Sequence, residues 1–402
     1  MGKMQSLYYL FIINIFFLFF SIKKEKYLFN LNTFFNAYAL MYFSYGIFLM
    51  KPQLEVLPYG ETLIYMAIIS IVSFNLIYYL SRKRIITPLF STHENHISNN
   101  TGIIILIIGI LAELLLIVNV GPFEFFTLDR YERFPILKKY DYLMYFVNLI
   151  NISLAIFLNN YLKNKDKQSK RLLLFCTFHS ILYFIVMISR NDLLLTFIIF
   201  AYFLERYGKV RKVQLIVSGS ILAFIMFFYK SFMYSVLLGQ SEVYFNYGEL
   251  VNWIRNTIVI MNSGITADQL PNNSYILTLK SFFVISPKED ALSEWFVKTF
   301  YPESAVDGFT MGFSGLIEGY LYSGLAGVMI HYSMIGLIFG NLEKRQTVLF
   351  NLIRLFLLFT LYKLFRSEIY NFVKGSYWYY VLPIIGIYYF DILLKGIARK
   401  QN

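Results

Sequence analysis

Apolar runs of about 16–20 residues alternate with polar links along the whole chain. Runs of that length match the hydrocarbon thickness of a bilayer, and inside lipid only a helix satisfies such a stretch of backbone. The pattern predicts an all-α polytopic membrane protein with about eleven transmembrane helices, at 7–22, 32–50, 62–80, 102–120, 142–161, 172–189, 192–205, 213–234, 322–340, 347–365 and 376–394. One link is far longer than the others. Residues 235–320 form a large outer loop between the eighth and ninth helices, with amphipathic stretches at Leu250–Met261 and Ala291–Phe300. The chain therefore divides into 1–234 (helices one to eight), 235–320 (the loop) and 321–402 (helices nine to eleven).

Charge orients these helices. Basic clusters at Lys23–Lys26, Arg82–Arg84, Lys163–Arg171, Arg206–Lys212, Lys344–Arg345 and Lys395–Lys400 hold 20 of the 36 Lys and Arg residues. They fall in alternate, mostly short links, and the positive-inside rule assigns them to the cytoplasm. The C-terminus is then cytoplasmic, and about 17 of the 24 acids lie outside. Composition agrees: 57% of residues are hydrophobic and 15% charged, against about 25% charged in soluble domains. That balance excludes a soluble enzyme, a nucleic-acid binder and a secreted scaffold, so the net charge of +12 reads as topology. The N-terminal run lacks a small-residue cleavage site, and the single cysteine, Cys176, permits no internal disulfide.

Against the charge bias stand five arginines at or near the outer face: Arg130, Arg133, Arg190, Arg255 and Arg366. A guanidinium is always charged and grips phosphate with a planar fork, so outward arginines at membrane depth suit a lipid-linked diphosphate. The bland alternative is local pairing: Arg130 with Asp129, Arg190 with Asp192, Arg366 with Glu368. Glu318 stands among glycines 308, 312, 315, 319, 324 and 327 at the mouth of an apolar run. It is a general-base candidate for a hydroxyl, or a helix-end acid that favours the dipole. Glu113 and Arg354 fall within predicted spans, where a charge is a functional hypothesis by default, although Arg354 is near enough to the cytoplasmic end to snorkel. His331 reads as packed or hydrogen-bonded to a neighbouring helix, and His93 and His96 as a solvated loop. No P-loop, GxGxxG or HExxH motif, no metal site and no cofactor motif is present.

Three stretches carry a family likeness: Ser189-Arg190-Asn191-Asp192-Leu193-Leu194-Leu195, Gly312-Phe313-Ser314 through Glu318-Gly319-Tyr320-Leu321 to Gly324 and Gly327, and Phe365-Arg366-Ser367-Glu368. With the long outer loop, they resemble the bacterial oligosaccharide repeat-unit polymerases, the Wzy-type or O-antigen-polymerase-like proteins, which are similar to GT-C glycosyltransferases. Asn191 departs from the Gly or Ser common at that place. The resemblance implies a multi-pass protein of the bacterial cytoplasmic membrane that joins repeat units carried on undecaprenyl pyrophosphate at the outer face. O-antigen, capsule or exopolysaccharide would be the product. The implied partners are the lipid-linked donor and acceptor, the bilayer, a chain-length regulator and a flippase, without nucleic acid. It also implies a metal-independent site with no cofactor: Glu318, Arg190 and Arg366 as catalytic residues, and Arg130, Arg133 and Arg255 as substrate-binding residues. Other readings are an O-antigen ligase-like transferase, a lipid-linked oligosaccharide flippase, a membrane acyltransferase and a scaffold.

Overall fold

A computed structural model describes residues 5–83, 96–127, 136–137, 139–187, 190–222, 248–265, 269–271, 274–284, 290–303 and 313–401. Among these residues the protein is all-helical, without a strand. Seven helices are long and apolar enough to cross a membrane: Gln5–Lys24, Gly60–Arg82, Asn99–Val120, Asp141–Asn164, Gly315–Lys344, Val348–Arg366 and Ile369–Ile397. The chain is a membrane protein by that measure. The other four predicted spans show why they fall short of it. The run at 32–50 is broken into Leu31–Ala39, a π-helical turn at Leu40–Tyr45 and Gly46–Leu49. Helix Lys167–Met187 opens on charged residues, Arg190–Arg206 is shorter than a full span, and 213–234 is described only as far as Leu222.

Helix starts follow from side-chain caps. Asn30, Ser98 and Thr347 each accept from a backbone N–H in the first turn of the helix that follows. Amides tie helices together within the bundle: Asn36 and Asn75 exchange hydrogen bonds of 3.0 and 2.9 Å, and Asn14 donates to Ser44 at 3.0 Å. Glycine permits the tightest packing. A Cβ at Gly336 would lie 2.5 Å from the Phe74 carbonyl oxygen, so helices Gly60–Lys83 and Gly315–Lys344 meet backbone to backbone.

One end of the bundle is locked by charge. Glu343 accepts from the Leu31 N–H at 2.9 Å and pairs with Arg354 at 3.1 Å, while Glu205 accepts from the Leu28 and Phe29 N–H groups. Lys212 donates to the carbonyls of Ile22 and Glu25, and Arg82 pairs with Glu25. Arg354 thus does not snorkel: it is 0% exposed, held by Glu343 and Asn351. Glu113 is likewise paired, at 2.6 Å from His179 on helix Lys167–Met187.

The helix Gly315–Lys344 is not a straight rod. Ser323 (φ −156°, ψ 28°) and Gly324 (φ 60°, ψ −147°) break it, and only glycine adopts the second geometry readily. In a straight helix residues 319 and 327 stand about 12 Å apart. Here a Cβ at Gly327 would lie 2.0 Å from the Gly319 carbonyl oxygen, and one at Gly315 would lie 2.8 Å from His331 Nε2. Residues 315–322 therefore fold back antiparallel on 325–332, and the span proper is 325–344.

The predicted amphipathic stretches of the long loop are helices. Gly248–Ser263 buries Trp253 against Phe43, with ring centroids 5.5 Å apart. Leu292–Phe300 buries Phe296 against Phe313, at 5.2 Å.

Candidate functional site where two helical turns meet

A second sharp turn faces the first. Helices Val348–Thr360 and Ile369–Ser376 run antiparallel: Ser376 donates to Thr360 at 2.8 Å, and Phe356 stacks on Tyr380 at 4.6 Å. Between them lies the four-residue helix Lys363–Arg366, and extended Ser367 (φ −147°, ψ 169°) ends it. Phe365 fixes this tip. Its ring is 0% exposed and packs on Phe35, Phe43 and Tyr42 at 5.3, 4.9 and 5.9 Å. Arg366 is half-buried beside it, its guanidinium carbon 5.8 Å from the centre of the Tyr362 ring.

Glu318, on the fold-back segment, reaches this tip. Its Oε2 accepts from the Ile369 N–H at 2.7 Å, so it caps helix Ile369–Ser376 from another part of the chain. Glu368, the residue preceding that helix, makes no cap of its own and instead accepts from Ser293 at 2.9 Å and Asn371 at 2.7 Å. The Ser293 hydroxyl, which also accepts from Asn371 at 3.3 Å, attaches the loop helix Leu292–Phe300 to the tip. Both acids are 0% exposed, so Glu318 lies inside the protein and not at an open mouth.

Unpaired polar atoms collect around Glu318. Among the described residues, Glu318 Oε1, Glu368 Oε2, His331 Nε2 and the Tyr332 hydroxyl find no partner. The Ser274 hydroxyl is turned toward Glu318 without a well-aligned bond. His331 Nδ1 bonds the Tyr275 hydroxyl at 2.9 Å, which is the interhelical role its sequence position suggests. Burial pushes the Glu368 carboxyl up to about 7; Glu294 adds to the rise and the Ser293 bond opposes it.

The other sequence candidates are placed as follows. Arg190 opens helix Arg190–Arg206, and its side chain lies outside the described residues. Helix Arg190–Arg206 packs on helix Val348–Thr360, where the Tyr202 hydroxyl donates to Asn351 Oδ1 at 3.5 Å. Arg255 is exposed on helix Gly248–Ser263, away from buried Trp253. Arg130 and Arg133 fall outside the described residues, as does His93. No group of three or more His, Cys, Asp and Glu among the described residues is spaced to hold a metal ion. The sequence reading passed over Ser293, Asn371 and Lys363. Of these only Lys363 carries a local signal, because it lies three residues before Arg366 in an otherwise apolar run.

Comparison with protein-family models, with curated proteins and with solved structures gives no match.

Proposed function

We propose that this protein is a membrane glycosyltransferase that joins oligosaccharide repeat units carried on undecaprenyl pyrophosphate into a surface polysaccharide. In this reading the chain crosses the bacterial cytoplasmic membrane about eleven times, with its C-terminus cytoplasmic and 235–320 outside. One observation carries most of the support. Two stretches on which the family resemblance rests, Gly312–Gly327 and Phe365–Glu368, are remote in sequence, and Glu318 of the first accepts at 2.7 Å from the N–H of Ile369, the residue after the second. The third, Arg190–Leu195, begins helix Arg190–Arg206, which packs on helix Val348–Thr360 of the same antiparallel pair.

The chemistry asked of the site is simple. The acceptor hydroxyl oxygen forms a bond to the anomeric carbon of the donor sugar as the bond to the pyrophosphate oxygen breaks. The hydroxyl proton passes to a base, and the leaving diphosphate gains negative charge. Fixed guanidinium groups stabilise that charge, and Arg366 and Arg190 take this role, with Arg130, Arg133 and Arg255 assisting. Glu318 serves first as a positioning residue, because its cap on Ile369 holds the tip that carries Arg366. Service as the base requires the two turns to part, so that a hydroxyl reaches Oε1.

Deletion of the gene, followed by gel analysis of surface glycan, tests this. A single repeat unit on its acceptor is the expected phenotype, whereas a ligase would leave long chains on the carrier. Arg366→Lys keeps the charge and loses the fork, so it should abolish most polymer at normal membrane levels. Full-length polymer in the deletion strain would overturn the reading.

A further inference from the structure

Lys363 differs from the other lysines whose ammonium contacts the structure defines. Lys395 pairs with Asp391 at 2.7 Å, Lys298 with Asp290 at 2.6 Å, and Lys212 donates to two carbonyls at 2.8 and 2.7 Å. Among the described residues Lys363 has no hydrogen bond and no ion pair. Its side chain is half-buried near the end of the apolar segment Val348–Arg366. Asp141 acts on it only at a distance, and Asp141 Oδ1 already accepts from the Tyr379 hydroxyl at 2.8 Å. Gly375 makes room for the ammonium, since a Cβ there would lie 2.7 Å from Nζ. A half-buried cation near the end of an apolar segment, with no ion pair among the described residues, carries an electrostatic cost. Such a site is completed by an anion.

The neighbours indicate which anion. Arg366 follows three residues later, about one turn along the same short helix. Tyr38 and Tyr42 flank the tip, their rings 6.0 and 5.9 Å from Phe365, and Tyr362 lies under Arg366. Two cations about one helical turn apart, backed by aromatic rings, suit two linked phosphates attached to an apolar chain and a sugar.

The geometry points to Lys363 as the second diphosphate-binding cation: Lys363 and Arg366 each take one phosphate of a polyprenyl diphosphate. This rests on the transferase reading and names the contact that separates a diphosphate lipid from a monophosphate lipid.

Binding to the full-length protein in lipid nanodiscs tests it without any sugar transfer. Undecaprenyl diphosphate, undecaprenyl monophosphate and inorganic pyrophosphate are titrated in turn, with native mass spectrometry as the readout. The parent protein should prefer the diphosphate lipid to the monophosphate lipid. Lys363→Met should erase that preference by weakening the diphosphate lipid about tenfold, the scale of one charge-assisted bond. Lys363→Arg keeps the charge in place and should retain the preference. An undiminished preference in the Met variant overturns the proposal. So does its loss in an Arg variant that melts at the parent temperature, which keeps the test decisive even where the Met variant folds poorly. Inorganic pyrophosphate bound as tightly as the lipid overturns the lipid assignment. If glycan is normal in the deletion strain while binding still depends on Lys363, the polymerase reading fails and this one stands. The reverse pair of results fails this one alone.

Discussion

The acids at the meeting of the two turns exchange their expected duties. Glu318, placed by sequence at a helix entrance, caps a different helix, and Glu368, placed to cap its own helix, ties down the loop helix Leu292–Phe300. A buried N–H left without an acceptor costs roughly 1–3 kcal/mol, so Glu318→Ala should lower the melting temperature of the purified protein. Glu318→Gln keeps an acceptor oxygen and should lower it less. A base role adds a separate signature: the Gln variant would lose polymer while melting almost as the parent does. Normal polymer in a stable Gln variant would leave Glu318 as a positioning residue only. Glu368 makes a prediction about pH. Its folded-state value, about 7, lies above the ordinary 4.5, so the folded protein holds this proton more tightly than the unfolded chain. Its contribution to stability is complete below 4.5 and is lost as pH rises through about 7. The groups around it are Ser293, Asn371, Glu294 and Glu318. Thermal melts between about pH 5 and about pH 8 should therefore decline more steeply in the parent than in Glu368→Gln. Parallel slopes would remove Glu368 as the source.

At the scale of elements, the fold-back at Ser323–Gly324 decides where Glu318 lies. Gly319 and Gly327 touch across it, and an added methyl would collide with backbone, which cannot swing aside. Gly319→Ala and Gly327→Ala should each cost about 1–3 kcal/mol or more through overpacking and should reduce polymer together with stability. Gly386→Ala, where the new Cβ meets nothing within 4 Å, is the control and should fold normally. Wild-type melting in both hairpin variants would show that the two segments do not pack this closely. The same hairpin marks the limit of what the sequence made legible. Apolar runs located the long helices, because lipid leaves the backbone no other option, and the amphipathic period of Leu250–Met261 and Ala291–Phe300 located two loop helices. The glycines from 315 to 327 announced a close approach, but nothing in their spacing said that the approach is to their own chain. The cap from Glu318 to Ile369 was equally hidden, since it depends on how two distant turns dock. Arg366 was visible as a basic residue on the acidic side of the charge alternation. Ser293 and Asn371 are ordinary polar residues until Glu368 comes between them.

At the scale of the whole molecule, charge divides the bundle into two unlike ends. Glu25–Arg82, Glu343–Arg354 and Lys212 gather at one end, close to the basic links. Glu318, Glu368 and Arg366 gather at the other, where the loop helix Leu292–Phe300 is attached. From this asymmetry the positive-inside rule predicts an orientation, with the first end cytoplasmic and the candidate site facing out. The proposed reaction needs that orientation, because the polymer must be released on the outer side. Single cysteines at Lys298 and Lys209 in a Cys176→Ser background test it. Both lysines are exposed, one on the loop helix and one just beyond Arg206, whereas Cys176 is 0% exposed and should be inert even in the parent. Replacing Lys298 breaks only its exposed pair with Asp290, a contact of little weight, so the fold should tolerate it. A membrane-impermeant maleimide applied to spheroplasts should label position 298 at once and position 209 only after the membrane is opened. The reverse order would turn the Arg366 end toward the cytoplasm. The diphosphate contacts could then still exist, but polymerisation at the outer face could not, and the transferase reading would fall.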